Sequence, residues 1–537
     1  MSAKAVELGE QYIPHGEVVP YSGEAEWPAP GLWVVNNGTA TLIGVKHPKY
    51  RPGEDQWQDT AIYCADTVPL VSSVLAEPYA VGSGRLQGAE AELNTYDREG
   101  NPFDLYPGGT PLTIEQEEHP ELLRTTYETD AGPFTDAERT YRALGRKIED
   151  MSYTLRGHGA YFDPASAFMH AVPTRQDATP NPYVQTMVNI LGDDIMKFIG
   201  NGIHEHYDAH VGNLPTISRL IRPLAPYLNV GLLAAPFAYG EKTPRMGEQL
   251  GADELLAYDG RQPQSVRYLT RYTASANGGV GVRVVHDNLE EALLHAHQQM
   301  RDGLITSPSR HIGSHADVRN RYDPPSPDNL DHPGRLELCV KDTSAMRLPT
   351  LIAYSDLVRA LVDRFEKVAA LGEQGLAELH TDFPGLFGPS YDKTEYAVRQ
   401  LENAHQNSIA IAYDGAEAVV TDGMGNKTTV WNQFRDIIRL AQDGNPDRLS
   451  KNTLRNLHKS LSPYDTTEQA MAKHRDEQGL PSLHGYYYTG LGTPAQWMIA
   501  RADAASQRPN TSEADVLRDG TQDRLRSFAA YLLRNAR

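Results

Sequence analysis

Cysteine is almost missing from this chain: Cys64 and Cys339 are the only two among 537 residues. They form no CxxC pair, which excludes a cysteine-rich structural zinc cage and fits a reducing compartment. Long apolar runs are missing too. Nowhere do eighteen apolar residues follow one another, which argues against a membrane-spanning helix. Positive charge is in deficit, with 50 Lys and Arg against 70 Asp and Glu and a formal net charge of −20. That balance argues against nucleic acid or an anionic membrane as a partner, and no Lys/Arg run is dense enough to reverse it locally. The N-terminus, Met1-Ser-Ala-Lys-Ala-Val-Glu7, lacks the basic-then-apolar plan of a signal peptide, so the expected location is cytoplasmic. GxxxxGK[ST] does not occur, so any nucleotide site is not a P-loop, and GxSxG does not occur either.

What is present is the composition of a globular protein, 40% hydrophobic and 22% charged, long enough for several domains or one large enzyme domain. Residues 1–80 are rich in Pro, Gly, Val and Tyr with short strand-like runs, and read as a β-rich section. Helical periodicity is expected at about 135–156, 182–199, 215–232, 288–304, 350–372, 392–405, 430–443, 450–461 and 512–535. Strands are expected at 122–129, 202–212, 266–273, 280–286, 334–341, 408–413 and 417–421, with another following Gly88. The elements alternate without a regular βαβ beat, so the fold class expected is α+β with a mostly antiparallel sheet.

The most informative stretch is Gly202-Ile-His-Glu-His-Tyr-Asp-Ala-His-Val-Gly212. As a strand it projects His204, His206, Asp208 and His210 to one side, a set suited to lining a site. As a helix it would merely pair His206 with His210 on a solvated surface; Tyr207 and Val211 favour the strand. Glu90 and Glu92 lie two apart on the strand after Gly88 and share a face. Glu121 and Glu128 bracket the next apolar-to-strand transition, where surface acids are the plain alternative. In Arg335-Leu-Glu-Leu-Cys339, Arg335, Glu337 and Cys339 alternate with two leucines, and a Glu in so apolar a strand needs a partner or a metal. Carboxylates with imidazole suit Mg2+ or Mn2+, and such ions commonly arrive with substrate phosphates, which makes ATP the natural companion. Arg267, Arg319 and Arg321 are candidate clamps for carboxylate or phosphate oxygens, although any single arginine is more simply a surface ion-pair partner.

In this order the motifs resemble the glutamate–cysteine ligase superfamily, ATP-dependent carboxylate–amine ligases with a glutamine-synthetase-like sheet. Gly88-Ala-Glu-Ala-Glu-Leu93 is similar to the family's Gly-x-Glu-x-Glu opening strand, and Glu121 and Glu128 keep its two acids seven apart. Asp208-Ala-His-Val-Gly212 aligns with a His-x-His-Val-Gly pattern, and Leu224 to Gly240 resembles the family's Pro- and Ala-rich stretch. Ser265-Val-Arg267 is similar to the Ser-x-Arg that reaches a substrate carboxylate, and Asp317-Val-Arg319 to a late arginine. Glu402-Asn403 and Ile409 to Gly415 are similar to a C-terminal helix and strand. Two positions depart from the pattern. Cys339 stands where the family has Arg two residues after the strand Glu, with Arg335 on the same face, and Asp208 stands where it has the first His.

The resemblance covers roughly residues 85 to 445. It implies a curved, mostly antiparallel sheet flanked by helices in a ligase domain at 81–445, after the β-rich 1–80 and before a helical extension at 446–537. It further implies a ligase that joins a glutamate-like acid to cysteine or another amine through an acyl phosphate, as in glutathione biosynthesis. Mg2+ or Mn2+ on ATP would be held by Glu90, Glu92, Glu121, Glu128, Glu337 and a histidine among His204, His206 and His210. Arg267 would orient the amino acid, Arg319 and Arg335 would stabilise the oxyanion and departing phosphate, and Arg321 would contact the nucleotide. Amino acids are the expected partners, and a homodimer is compatible with this reading. Two rivals stand beside it: a metal-dependent amidohydrolase built on the His-rich strand, and a non-catalytic nucleotide- or amino-acid-binding relative.

Overall fold

The computed structural model describes residues 85–113, 121–164, 173–182, 184–185, 188, 201–210, 213–237, 262–265, 318–321, 334–342, 347–390 and 399–535, with five strands inside 5–44. Those five are β1 (Ala5–Leu8), β2 (Gln11–Pro14), β3 (Val18–Pro20), β4 (Leu32–Asn36) and β5 (Thr39–Gly44). They form a β1–β2 hairpin and a β3–β5–β4 sheet, all antiparallel. The elements expected at 266–273, 280–286 and 288–304, and Arg267 with them, lie outside the described residues; so do nearly all of 182–199 and 392–398.

The site is carried by a six-stranded sheet: β6 (Gln87–Asp97), β7 (Thr126–Phe134), β8 (Ala160–Asp163), β9 (Gly202–Ala209), β10 (Val318–Arg321) and β11 (Gly334–Asp342). Its order is β10–β11–β9–β6–β7, with β8 also on β6, and every pairing is antiparallel. The architecture is α+β, as the element order implied. Strand alternation sorts the residues: Ala89, Ala91, Leu93, Tyr127, Ile203, Tyr207, Leu336 and Leu338 are buried in the hydrophobic core.

Helices α1 (Ala137–Gly157), α2 (Leu214–Ile221) and α3 (Leu348–Leu371) bury their apolar stripes in the same core. Asp136 caps α1 by accepting the Arg139 N–H at 2.8 Å, and Tyr141, Leu144, Ile148, Met151 and Leu155 recur at helical spacing on its buried face. The α3 helix stops at Gly372, whose φ of 60° suits glycine, and a second helix, α4 (Glu373–Asp382), starts at once. The single helix expected over 215–232 divides, because after α2 the chain tightens to a 3-10 helix at Arg222–Leu232 containing Pro223 and Pro226. Proline lacks the N–H that an α-helical ladder requires.

After a single helical turn at Pro384–Phe387 come the longer helices α5 (Leu401–Asp414), α6 (Val430–Ala441), α7 (Lys451–Ser460), α8 (Tyr464–Lys473), α9 (Leu483–Thr489), α10 (Pro494–Ser506) and α11 (Glu513–Asn535). The strand expected at 408–413 is a turn and a half of α5 instead. Its alternation of Ile and Ala is overridden by packing, which buries Ala404, Ile411 and Ala412 at helical spacing. One core cluster runs from Ile203 and Leu336 on the sheet to Leu457, Trp497 and Phe528 on the later helices. Arg524 of α11 donates to both carboxylate oxygens of Asp163 on β8, at 2.8–3.3 Å. Among the described residues, no helix is long and apolar enough to cross a membrane.

Candidate metal centre

Residues 202–209 are a strand, and its neighbours fix what faces what. In register, His204 lies opposite Glu90 of β6, His206 opposite Glu337 of β11, and Glu92 opposite Glu128 of β7. Side chains directly opposite on one face lie within reach of each other, so Glu90, Glu92, Glu128, His204, His206 and Glu337 share one polar surface. Cys339 follows Glu337 by two residues and joins it.

His206 Nε2 lies 2.9 Å from Glu90 Oε1, and His204 Nδ1 lies 3.4 Å from Glu90 Oε2. The other His204 nitrogen lies 3.7 Å from Glu92 Oε1, and Nδ1 is 3.9 Å from Glu337 Oε1. The Cys339 thiol donates to Glu337 Oε1 at 3.2 Å. Glu337 and Cys339 are fully buried and the histidines nearly so, whereas Glu90 and Glu92 are partly open. Among the described residues, two sets of three donor atoms each fall within 4.8 Å of one another: Glu90, His206 and Glu337; and His204, Glu337 and Cys339. Glu337 belongs to both.

Glu121 arrives differently from the expectation. The strand predicted at 122–129 begins only at Thr126; Leu123 makes a single bridge to Ala178. Glu121 therefore comes in from a loop, and its carboxyl hydrogen-bonds that of Glu128. Burial, then the neighbouring charge of Glu92, pushes Glu121 up to about 7. Burial and Glu121 push Glu128 up further, to about 12, so it holds a proton in the metal-free protein. Glu90 moves the other way. Burial raises it, but the charge of His206 and hydrogen bonds from both histidines outweigh this and hold it well below the ordinary carboxylate range.

Five carboxylates thus crowd around two imidazoles, an arrangement that protons or a divalent cation can neutralise. The donors fit such an ion. His206 is 7% exposed and its Nδ1 has no hydrogen-bond partner, an orphaned buried nitrogen of the kind that a ligand satisfies.

The other predicted residues are placed as follows. His210 lies just past the end of β9 and is absent from both donor sets; its backbone N–H donates to Glu366 at 3.2 Å. Glu366 also accepts from Asn213 at 2.9 Å and lies 3.5 Å from Arg85, which bonds Asp363 at 2.7 Å and the Asp208 carbonyl. This buried network pins the end of β9 to α3. Burial raises Asp208 to about 7 despite Arg85. Arg335 is opposite Asp208 in register, while Arg319 and Arg321 on the edge strand β10 are opposite Glu337 and Arg335.

Sequence reasoning passed over Glu205, which projects from the other face of β9. It is buried and accepts from Tyr141 of α1 and from Tyr207 at 2.9 Å; Tyr207 in turn lies 3.0 Å from Ser355 of α3. Alternation places Glu205 among core residues, which was the available signal. Asp130 was also passed over; it is opposite Glu90 in register but half-exposed and paired to Lys147 at 3.0 Å.

No family model matches the chain, and no curated protein matches it. Solved structures show a distant likeness. Glutamate–cysteine ligase from Francisella tularensis, in complex with AMP, is 13% identical with a TM-score of 0.45, covering 84% of this chain and 97% of that one. The complex of the prokaryotic ubiquitin-like protein Pup and its ligase PafA is 11% identical with a TM-score of 0.43, covering 82% and 74%. A bifunctional glutathione synthetase from Pasteurella multocida is 14% identical with a TM-score of 0.38, covering 71% and 53%. At these scores the likeness carries no functional weight, which falls on the side chains of the sheet.

Proposed function

We propose that the chain is an ATP-dependent carboxylate–amine ligase using Mg2+ or Mn2+, with a glutamate-like acid and an amino-acid amine as substrates. The observation that carries this reading is the convergence of Glu90, His204, His206 and Glu337 from three adjacent strands on one polar face. The sequence motifs resembling glutamate–cysteine ligases point the same way.

Glu90, His206 and Glu337 would hold one cation, with Glu92, Glu121 and Glu128 beside them to hold another. A bound divalent ion supplies charge neutralisation on the phosphates of ATP. The γ-phosphoryl group passes to the carboxylate of the acid, giving an acyl phosphate and ADP. The amine then attacks the acyl carbon, inorganic phosphate leaves, and an amide remains. Arg335, and Arg319 across from Glu337, belong to this reading as stabilisers of the oxyanion and departing phosphate. Arg321 is assigned to the nucleotide and Arg267 to the substrate carboxylate. His210, past the end of β9 and in neither donor set, is the least suited of the three histidines to the ion.

A phosphate-release screen tests the proposal, with purified protein, ATP and Mn2+ against pairs of amino acids and mass spectrometry of the products. Phosphate release that requires both acid and amine, with a condensed product, is the expected result. Amide cleavage without ATP, or nucleotide binding without turnover on any pair, would overturn it.

A further inference from the structure

The His204–Glu337–Cys339 set differs in kind from the oxygen-rich set beside it. Its donors are one imidazole, one carboxylate and one thiol, all buried and within 4.8 Å of one another. The Cys339 thiol already lies 3.2 Å from Glu337 Oε1. Cys339 is reached through the same Glu337 that completes the neighbouring set, where His206 keeps its Nδ1 buried and unbonded. Soft sulfur ligands favour Zn2+ and Co2+ over Mg2+, and Cys, His and carboxylate together make a common zinc-type donor set.

We infer that Cys339 makes this set a position for a thiophilic divalent ion, Zn2+ or Co2+, with Glu337 shared between it and the Mg2+/Mn2+ position. On binding, the Cys339 proton leaves to solvent and the thiolate takes a place on the ion. This deepens the metal reading above but does not require ligase chemistry.

The test is cobalt spectroscopy of the full-length, metal-stripped protein. Titration with Co2+ is expected to give a near-ultraviolet thiolate-to-cobalt charge-transfer band that saturates, bleaches when Zn2+ is added, and survives excess Mg2+. Cys339→Ser is expected to abolish the band and to weaken Zn2+ binding by roughly 10-fold or more, since even groups that only support a ligand commonly cost that much. Cys64→Ser is expected to leave the band intact, and His204→Gln to shift or weaken it. Should Cys339→Ser fail to fold, Cys339→Ala and the wild-type response to Zn2+ and Mg2+ decide. Absence of the band in folded wild type, its loss in Cys64→Ser, or its survival in a folded Cys339 variant would overturn the inference. A band in a protein that shows no ATP-dependent condensation would remove the ligase reading and leave this one standing.

Discussion

Where α11 meets β8, Arg524 and Asp163 are both buried and satisfy each other through two well-made hydrogen bonds. Across β6, β7, β9 and β11, with Glu121 from the loop before β7, Glu90, Glu92, Glu121, Glu128 and Glu337 are gathered around His204 and His206; burial pushes two of the carboxyls upward, Glu121 with help from Glu92 and Glu128 with help from Glu121. The first arrangement is closed: opposite charges cancel, and removing either takes from the other its doubly hydrogen-bonded ionic partner. The second is crowded: like charges are held together by the surrounding fold around two imidazoles. Charge that is buried and matched ties elements together; charge that is buried and like-signed is held at the cost of shifted protonation.

The largest effect that separates the two regions is on turnover. Glu337→Gln, nearly isosteric, is expected to lower amine-dependent phosphate release on the order of 10^3-fold, if charge neutralisation at the phosphates is worth several kcal/mol. Its circular dichroism and thermal midpoint should stay close to wild type; full turnover in a folded variant would break the comparison at its functional end. Arg524→Met is expected to do the reverse. Breaking a buried pair on one side costs about 3–5 kcal/mol, read from urea unfolding, and the double variant with Asp163→Leu should recover much of that loss. An unchanged midpoint in Arg524→Met would show that the pair is not a structural tie.

The crowded carboxyls give a pH signature. Glu121 is raised from 4.5 to about 7, so the fold binds more protons than the unfolded chain between those values. Stability of the metal-free protein is therefore fully present below about pH 4.5 as far as this group is concerned, and is lost as pH rises through 7. Glu121→Gln is expected to stabilise the metal-free protein at pH 8, on the order of 1–2 kcal/mol after allowing for solvent at the open side of the face. Mn2+ should give wild type a similar gain at that pH. A variant less stable than wild type at pH 8 would contradict the repulsion argument. On the helix-facing side of the sheet, Tyr141→Phe removes a bond to buried Glu205 and should cost roughly 1–3 kcal/mol of stability with Mn2+ affinity unaltered. A large loss of affinity there would mean that the two faces are not independent.

Much of the polar face was legible because a strand's period is two. Glu90 with Glu92, His204 with His206, and Glu337 with Cys339 could be set on shared faces before any pairing was known. The pairing itself was not legible, since register joins residues more than a hundred positions apart, and so neither was the meeting of Glu337 with both histidines. His210 obeys the same alternation, yet lies past the strand end at a backbone bond to Glu366 that only tertiary packing reveals. Segment 408–413 misled because Ile-Ala-Ile-Ala alternates as a strand does while folding as a helix. Helices α4, α8, α9 and α10 were missed, although Thr493-Pro-Ala-Gln496 carries a capping box with proline at the first turn, a signal that could have located α10.

Binding of Mn2+, followed by electron paramagnetic resonance in the absence of nucleotide, tests most directly whether the polar face is a cation site. Wild type is expected to bind Mn2+ saturably, and Glu90→Gln and Glu337→Gln each to weaken it by roughly 10-fold or more while Asp130→Asn does not. Equal affinity in wild type, Glu90→Gln and Glu337→Gln, with all three folded, would contradict the account.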